Sequence, residues 1–248
     1  MRRLRVGLLI ALITICFTPH VVSPSLAQEQ LKVGNSYSGN IKLSSPNNGV
    51  YLTLPEGQWL LASLEITQSN PINTGKYVPI LQGRFLQTDD KKRITGIVTF
   101  SSGNGSESGW TTPTFCSRKD TFFIHTEIQN RSAREKTCWG VYPSSMGIPE
   151  ATASQYVRDF YQYLAINKIQ KPLSMVVVQF FRSSREKYLH SIHYFNPELD
   201  GFPRSAASTW QKDVVIADAK RVQYLNGRKA WGEQWFPTFE AAYRGRPK

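Results

Sequence analysis

The sequence holds 248 residues, 40% of them apolar and only 19% charged, with a formal charge of +12. That composition supports a packed core and excludes a disordered, charge-extended chain. The excess of cations excludes an acidic solvating protein and favours anionic partners such as lipid head groups, acidic polysaccharide or acidic protein faces.

At the N-terminus, Arg2, Arg3 and Arg5 precede the uncharged apolar run from Val6 to Phe17, and Ser25-Leu26-Ala27 stands before Gln28. Basic start, short apolar centre and small-residue site make a secretory signal peptide, with cleavage expected between Ala27 and Gln28. An uncleaved anchor is disfavoured, because 12 residues fall short of the roughly 20 that a spanning helix needs. Lipidation at Cys16 is disfavoured too, since Ile13-Thr14-Ile15 precede it in place of small residues. No later stretch is apolar and long enough to span a bilayer. The expected location is therefore the periplasm or the exterior, where nucleic acid is not an expected partner.

Removing residues 1–27 takes away three arginines, so the mature chain carries about +9. From Gln28 to Tyr142 there are 12 basic and 9 acidic residues, and from Pro143 onward 15 and 9. The second half is the more basic. Loss of Cys16 leaves Cys116 and Cys138, an even pair in an oxidising compartment, which are expected to be bridged. Closing that loop should add about 3 kcal/mol on a chain-entropy estimate.

Strand signals dominate from Val50 to Tyr142. Val50–Leu54 stops at Pro55-Glu56-Gly57, and Gln58–Ile66 resumes. Tyr77–Thr88 and Arg93–Phe100 flank the polar connection Asp89-Asp90-Lys91-Lys92. Ser101–Gly109 contains no apolar residue and reads as an exposed loop, with Trp110 beside it. In the next strand Phe122, Ile124, Thr126 and Ile128 alternate with Thr121, Phe123, His125 and Glu127, so the first set is assigned to the core. A hairpin centred near Ser132 brings Cys138 opposite residues around Thr126. A straight strand would hold the two sulfurs about 30 Å apart, so Ser117–Asp120 must reverse the chain.

The character changes after a linker, Tyr142–Pro149. Thr152-x-x-Gln155 reads as a capping box, and Tyr156, Val157, Phe160 and Leu164 recur at helical spacing until Lys171-Pro172. Met175–Phe181 and Lys187–Phe195 form a second hairpin joined by Arg182–Glu186. From about Ala206 the pattern is helical again, with a break expected at Asn226-Gly227 and another at Pro237. The fold class is α+β: an antiparallel β-meander, as a sandwich or partly closed barrel, followed by helix, hairpin and C-terminal helices. The regions are 1–27 (signal), 28–142 (β) and 143–248 (helix, hairpin, helices). The last two are expected to share one core, because a lone two-stranded sheet is too small to stand by itself.

No catalytic, cofactor or metal motif stands out. His190 and His193 lie on a strand, where a spacing of three points them to opposite faces and disfavours a shared metal. Ser106-Glu107-Ser108 has glutamate where a nucleophile elbow needs serine. His125 with Asp120 lacks a marked nucleophile. The strongest binding candidate is the basic connection carrying Arg182, Arg185 and Lys187, suited to phosphate or carboxylate. Trp59, Trp139 and Trp210 read as core, and Trp110 as the exposed tryptophan.

Cys116-Ser117-Arg118-Lys119-Asp120, Cys138-Trp139-Gly140-Val141, Asn196-Pro197-Glu198 and Trp231-Gly232 together resemble a group of uncharacterised secreted proteobacterial proteins. The resemblance spans most of the mature chain and implies an exported bacterial protein; it supplies no active-site residues. The functional expectation is a non-catalytic periplasmic binding or interaction module with a basic face and no cofactor. The alternatives are an envelope-acting hydrolase with His125 or His190 as base, or a structural subunit of an envelope assembly.

Overall fold

The computed structural model describes residues 31–43, 49–69, 77–104, 110–119, 121–130, 135–147 and 149–247. The leader with Ala27 and Gln28, the 105–109 segment, Asp120 and the tip of the hairpin near Ser132 lie outside the described residues.

Eight strands form one antiparallel sheet, open and not closed into a barrel, in an α+β fold. They are β1 (Ser36–Tyr37), β4 (Trp59–Ser69), β5 (Val78–Thr88), β6 (Ile94–Asn104), β7 (Phe123–Asn130), β8 (Glu135–Ser145), β9 (Ser174–Ser183) and β10 (Lys187–Phe195). The spatial order is β1-β4-β5-β6-β10-β9-β8-β7. A second sheet pairs β2 (Asn40–Lys42) with β3 (Tyr51–Thr53). The later hairpin is therefore no separate sheet. It fills the gap between the meander β4–β5–β6 and the hairpin β7–β8, so strands from both halves of the sequence belong to one ladder. Every residue of β9 is buried. The near-continuous apolar run Met175–Phe181 suits a strand covered on both faces.

One face is covered by α3 (Ala219–Tyr243), the short α2 (Lys212–Val215) and the small sheet. Here Phe85, Val98, Phe180, Trp139 and Leu189 of the sheet share a cluster with Leu225, Phe239 and Tyr243 of α3. Gly232 lets the helix approach closely; a Cβ there would come within 2.5 Å of the Trp139 ring. Asp218 caps α3 by accepting from the backbone N–H groups of Lys220 and Arg221 at 3.0 and 3.1 Å. The helix runs unbroken for 25 residues through Gly227 and Pro237, contrary to the two expected breaks. Both residues are exposed on its outer side, while buried Leu225, Gly232 and Phe239 anchor the helix on either side of each. Packing overrides the local helix-breaking tendency.

The other face is covered by α1 (Gln155–Ile166) at one end and by Trp110 and a 3₁₀ turn, Thr114–Ser117, at the other. Phe160 and Leu164 of α1 pack with Ala62, Leu86, Ile94 and Ile97. Ser154, not Thr152, occupies the cap position, and no side chain caps the helix. The helix ends at Ile166 because Lys168 turns left-handed (φ 54°), well before Pro172. Two further expectations change. Ser101–Asn104 continue β6 as strand, and Trp110 is only 7% exposed, packed on Tyr188 and over Gly103. A strand of polar residues reads as a loop until a neighbouring strand takes its backbone bonds. In β7 both alternating sets find cover: Phe123 packs on Trp139, and Ile124 on the disulfide side.

Cys116 and Cys138 form a disulfide with a Cα separation of 5.7 Å. Cys138 pairs with Thr126 across β7–β8, and the Thr126 hydroxyl donates to the Cys116 carbonyl at 3.1 Å. The 3₁₀ turn supplies the chain reversal that the bridge requires. Among the described residues no helix is long and apolar enough to cross a membrane.

Candidate functional site

The face under α1 carries a polar tract where a sheet interior would ordinarily be apolar. Register places Ser63, Arg84 and Thr99 in one row across β4, β5 and β6. Thr99 pairs with Ile192 of β10, which pairs with Gln179 of β9. The next row holds Glu65, Gln82, Ser101 and His190. Ser63, Thr99 and Gln179 are buried, and Ser63 Oγ, Thr99 Oγ1, Gln179 Oε1 and Arg84 Nε have no hydrogen-bond partner among the described residues. Buried polar atoms are ordinarily satisfied, and four unbonded ones fall together in this tract.

Arg84 is the cation of this tract and has no ion pair there among the described residues. Its guanidinium lies 4.9 Å from the Phe160 ring centroid and 5.5 Å from that of Tyr156, both on α1. Glu65 is engaged elsewhere, accepting from Gln82 Nε2 at 2.9 Å and from the Tyr156 backbone N–H at 3.4 Å. Tyrosines surround the tract. Burial pushes the phenols of Tyr156 and Tyr161 up despite the opposing charge of Arg84, and burial with neighbouring Tyr194 does the same for Tyr142. All three remain O–H groups, able to donate, at neutral pH. Arg118 lies 4.8 Å from the Tyr142 ring centroid, at the far end. A guanidinium among phenol donors, beside aromatic faces and in a medium less polar than water, has the chemistry to pair with an anion.

His190 and His193 fall on opposite faces, as their strand spacing requires. His190 stacks on Phe115 (centroids 5.8 Å, planes 4° apart), and the Gln179 amide bonds its Nε2. Burial pushes its pKa down to about 4. His193 is 2% exposed beneath α3 beside Phe180, Trp231 and Trp235, with neither ring nitrogen bonded among the described residues. Burial lowers it to about 3. Both are neutral at pH 7.

The consequence is acid lability. Unfolded histidines bind protons below about pH 6.5, while these two stay neutral in the fold down to about 4 and 3. The unfolded state then holds more protons, so stability falls as pH drops below 6.5. The slope approaches roughly 1.4 kcal/mol per pH unit for each histidine. Urea midpoints measured between pH 6.5 and 4.5 should show this fall. His193→Phe should roughly halve the slope without lowering stability at pH 7, because it removes two unbonded polar atoms from an aromatic site.

The basic-connection residues differ in exposure, and two of them flank one ring. Arg182 is 4% exposed inside β9, bonds the Glu240 carboxylate of α3 and lies 5.0 Å from the Tyr243 ring centroid. Lys187 is half-buried against the same ring at 4.9 Å. Of the three, Arg185 alone is exposed. Arg182 lies in the sheet and not at the tip, because β9 extends to Ser183. His125 is exposed at the β7 edge, and its suggested partner Asp120 is outside the described residues. Ser63, Arg84, Thr99, Gln179 and the three tyrosines were not singled out in the sequence as site residues. One local signal existed: Gln82 and Arg84 stand in the same alternating set as Ile80 and Leu86. Comparison of the chain with family models, with curated proteins and with solved structures returned no match.

Proposed function

We propose that this chain is an exported, non-catalytic binding protein that takes a small anionic ligand on the sheet face beneath α1. The observation that carries the reading is the Ser63–Arg84–Thr99 row, three buried or half-buried polar side chains with unbonded atoms on adjacent strands. The flanking tyrosines add neutral donors and ring faces that suit a sugar or similar cyclic body bearing the charge. His190, held neutral and bonded to Gln179, serves this site as a positioned polar wall. Export rests on the three-part leader before Gln28, and a Cys116–Cys138 bridge suits an oxidising compartment.

Calorimetric titration of a panel of uronic acids and sugar phosphates, each beside its neutral parent sugar, tests the reading. At least one anion should bind, its neutral parent at least about tenfold more weakly, a gap of ~1.4 kcal/mol. Arg84→Met should remove the preference while leaving the fold intact. Equal binding of anion and parent, or binding indifferent to Arg84, contradicts the proposal. Mass spectrometry of protein from the native host should find a terminus at Gln28 and no alkylatable thiol.

A further inference from the structure

The end of α1 and the turn beside it make a surface of a different kind. Ile166 is 70% exposed and Leu173 46% exposed, unusual values for large apolar residues seven positions apart. The same end of α1 and the chain after it line a cavity of about 280 Å³, formed by Pro149, Tyr161, Leu164, Ala165, Ile169 and Lys171. Five of its six lining residues are apolar or aromatic. The turn between β5 and β6 is fastened alongside. Gln170 N–H donates to the Lys92 carbonyl at 2.8 Å, Ile94 N–H donates to the Gln170 carbonyl at 3.3 Å, and Lys92 Nζ donates to the Asn167 carbonyl at 3.2 Å.

The two segments, 89–93 and 166–173, together carry Lys91, Lys92, Arg93, Lys168 and Lys171 against Asp89 and Asp90, a net charge of +3. Asp89 is occupied by Arg93 at 2.7 Å, and nearby Glu198 is engaged by Arg204 and the Leu173 backbone N–H. Lys168 is exposed at the left-handed turn that ends the helix. Exposed aliphatic side chains, a shallow apolar cavity and a rim of lysines have one partner that satisfies all three.

We propose that this patch docks the protein on an anionic lipid bilayer, with Ile166 and Leu173 entering the head-group boundary and the lysines contacting lipid phosphates. Charge complementarity selects the occupant. Lysine is depleted at protein–protein interfaces, whereas each lysine or arginine near an anionic membrane contributes a favourable increment that falls off within a Debye length. Single aliphatic residues on a short rim give reversible surface association and not insertion. The patch shares Tyr161 with the Arg84 site but none of the residues altered in the test below.

Co-sedimentation of the full chain with phosphatidylglycerol vesicles and with phosphatidylcholine vesicles tests it. The protein should partition to the first and not to the second. Ile166→Asp should cut partitioning at least about tenfold, and Lys91→Glu with Lys168→Glu should also cut it at least tenfold, at roughly fivefold per lysine removed. Arg84→Met should leave partitioning unchanged, which separates this surface from the ligand site. Ile166, Lys91 and Lys168 are all exposed, so circular dichroism should report an unchanged fold. Failure to bind phosphatidylglycerol vesicles overturns the proposal. Equal partitioning to both vesicle types, or partitioning indifferent to Ile166, Lys91 and Lys168, overturns it as well.

Discussion

Phe180→Ala is expected to remove about 3–5 kcal/mol of stability, measured as a lower urea midpoint at unchanged slope. Phe180 is fully buried in β9 beneath α3, with its ring 5.3 Å from Phe239, 5.9 Å from Trp139 and 6.3 Å from Trp231. Those neighbours come from the adjacent strand and from two turns of the helix, so few can move into the void without shifting an entire element. Loss of the transfer energy is therefore joined by a cavity that collapses only in part. A cost below about 1 kcal/mol would mean that α3 does not sit on the sheet as described.

The second large effect concerns the ion pair between β9 and the end of α3. Glu240→Ala removes the carboxylate that bonds the buried Arg182 guanidinium, and breaking such a pair costs about 3 kcal/mol or more. Burial alone would depress Arg182, and the Glu240 carboxylate more than restores it, raising it above its usual value. Arg244 also reaches Glu240, at 3.4 Å, but from an exposed position where it contributes little. Converting both partners to apolar residues, Arg182→Met with Glu240→Leu, should recover most of the loss. The double variant removes two desolvated charges together. If the single and double variants are equally destabilised, Arg182 is not the buried structural cation described here.

The same comparison shows why the basic connection misled the sequence reading. Arg182 stands one residue beyond an apolar run and beside two serines, so local pattern places it in the turn. Its burial depends on β8 and α3, which are distant in sequence. The β-meander was legible because its strands are separated by turn residues and pair with their neighbours in sequence. The disulfide and its chain reversal were legible because bond geometry limits how far apart two cysteines may lie. Insertion of β9–β10 between β6 and β8 was not legible, although the unbroken apolar run of β9 hinted at burial on both faces. The long C-terminal helix was cut in expectation at Gly227 and Pro237, since helix propensity is local and aromatic packing against the sheet is not. Arg84 escaped notice for a related reason. Its meaning comes from Ser63 and Thr99 on the flanking strands and from Tyr156 and Tyr161 on a helix some 70 residues later, all gathered only by register.

Core packing around Phe180, the Arg182–Glu240 pair and the His193 share of the acid sensitivity concern the face under α3. The face under α1 carries the Ser63–Arg84–Thr99 row, and the functional account rests on that row. It is tested most directly by recording the Arg84 side-chain Nε–H resonance in nitrogen-15 spectra while an anionic ligand from the panel is titrated. The expected result is a saturable shift of that resonance together with backbone amides of α1 and β5, with the amides of α3 unmoved. A ligand that bound while Arg84 stayed silent and α3 or the 182–187 connection responded would contradict the account.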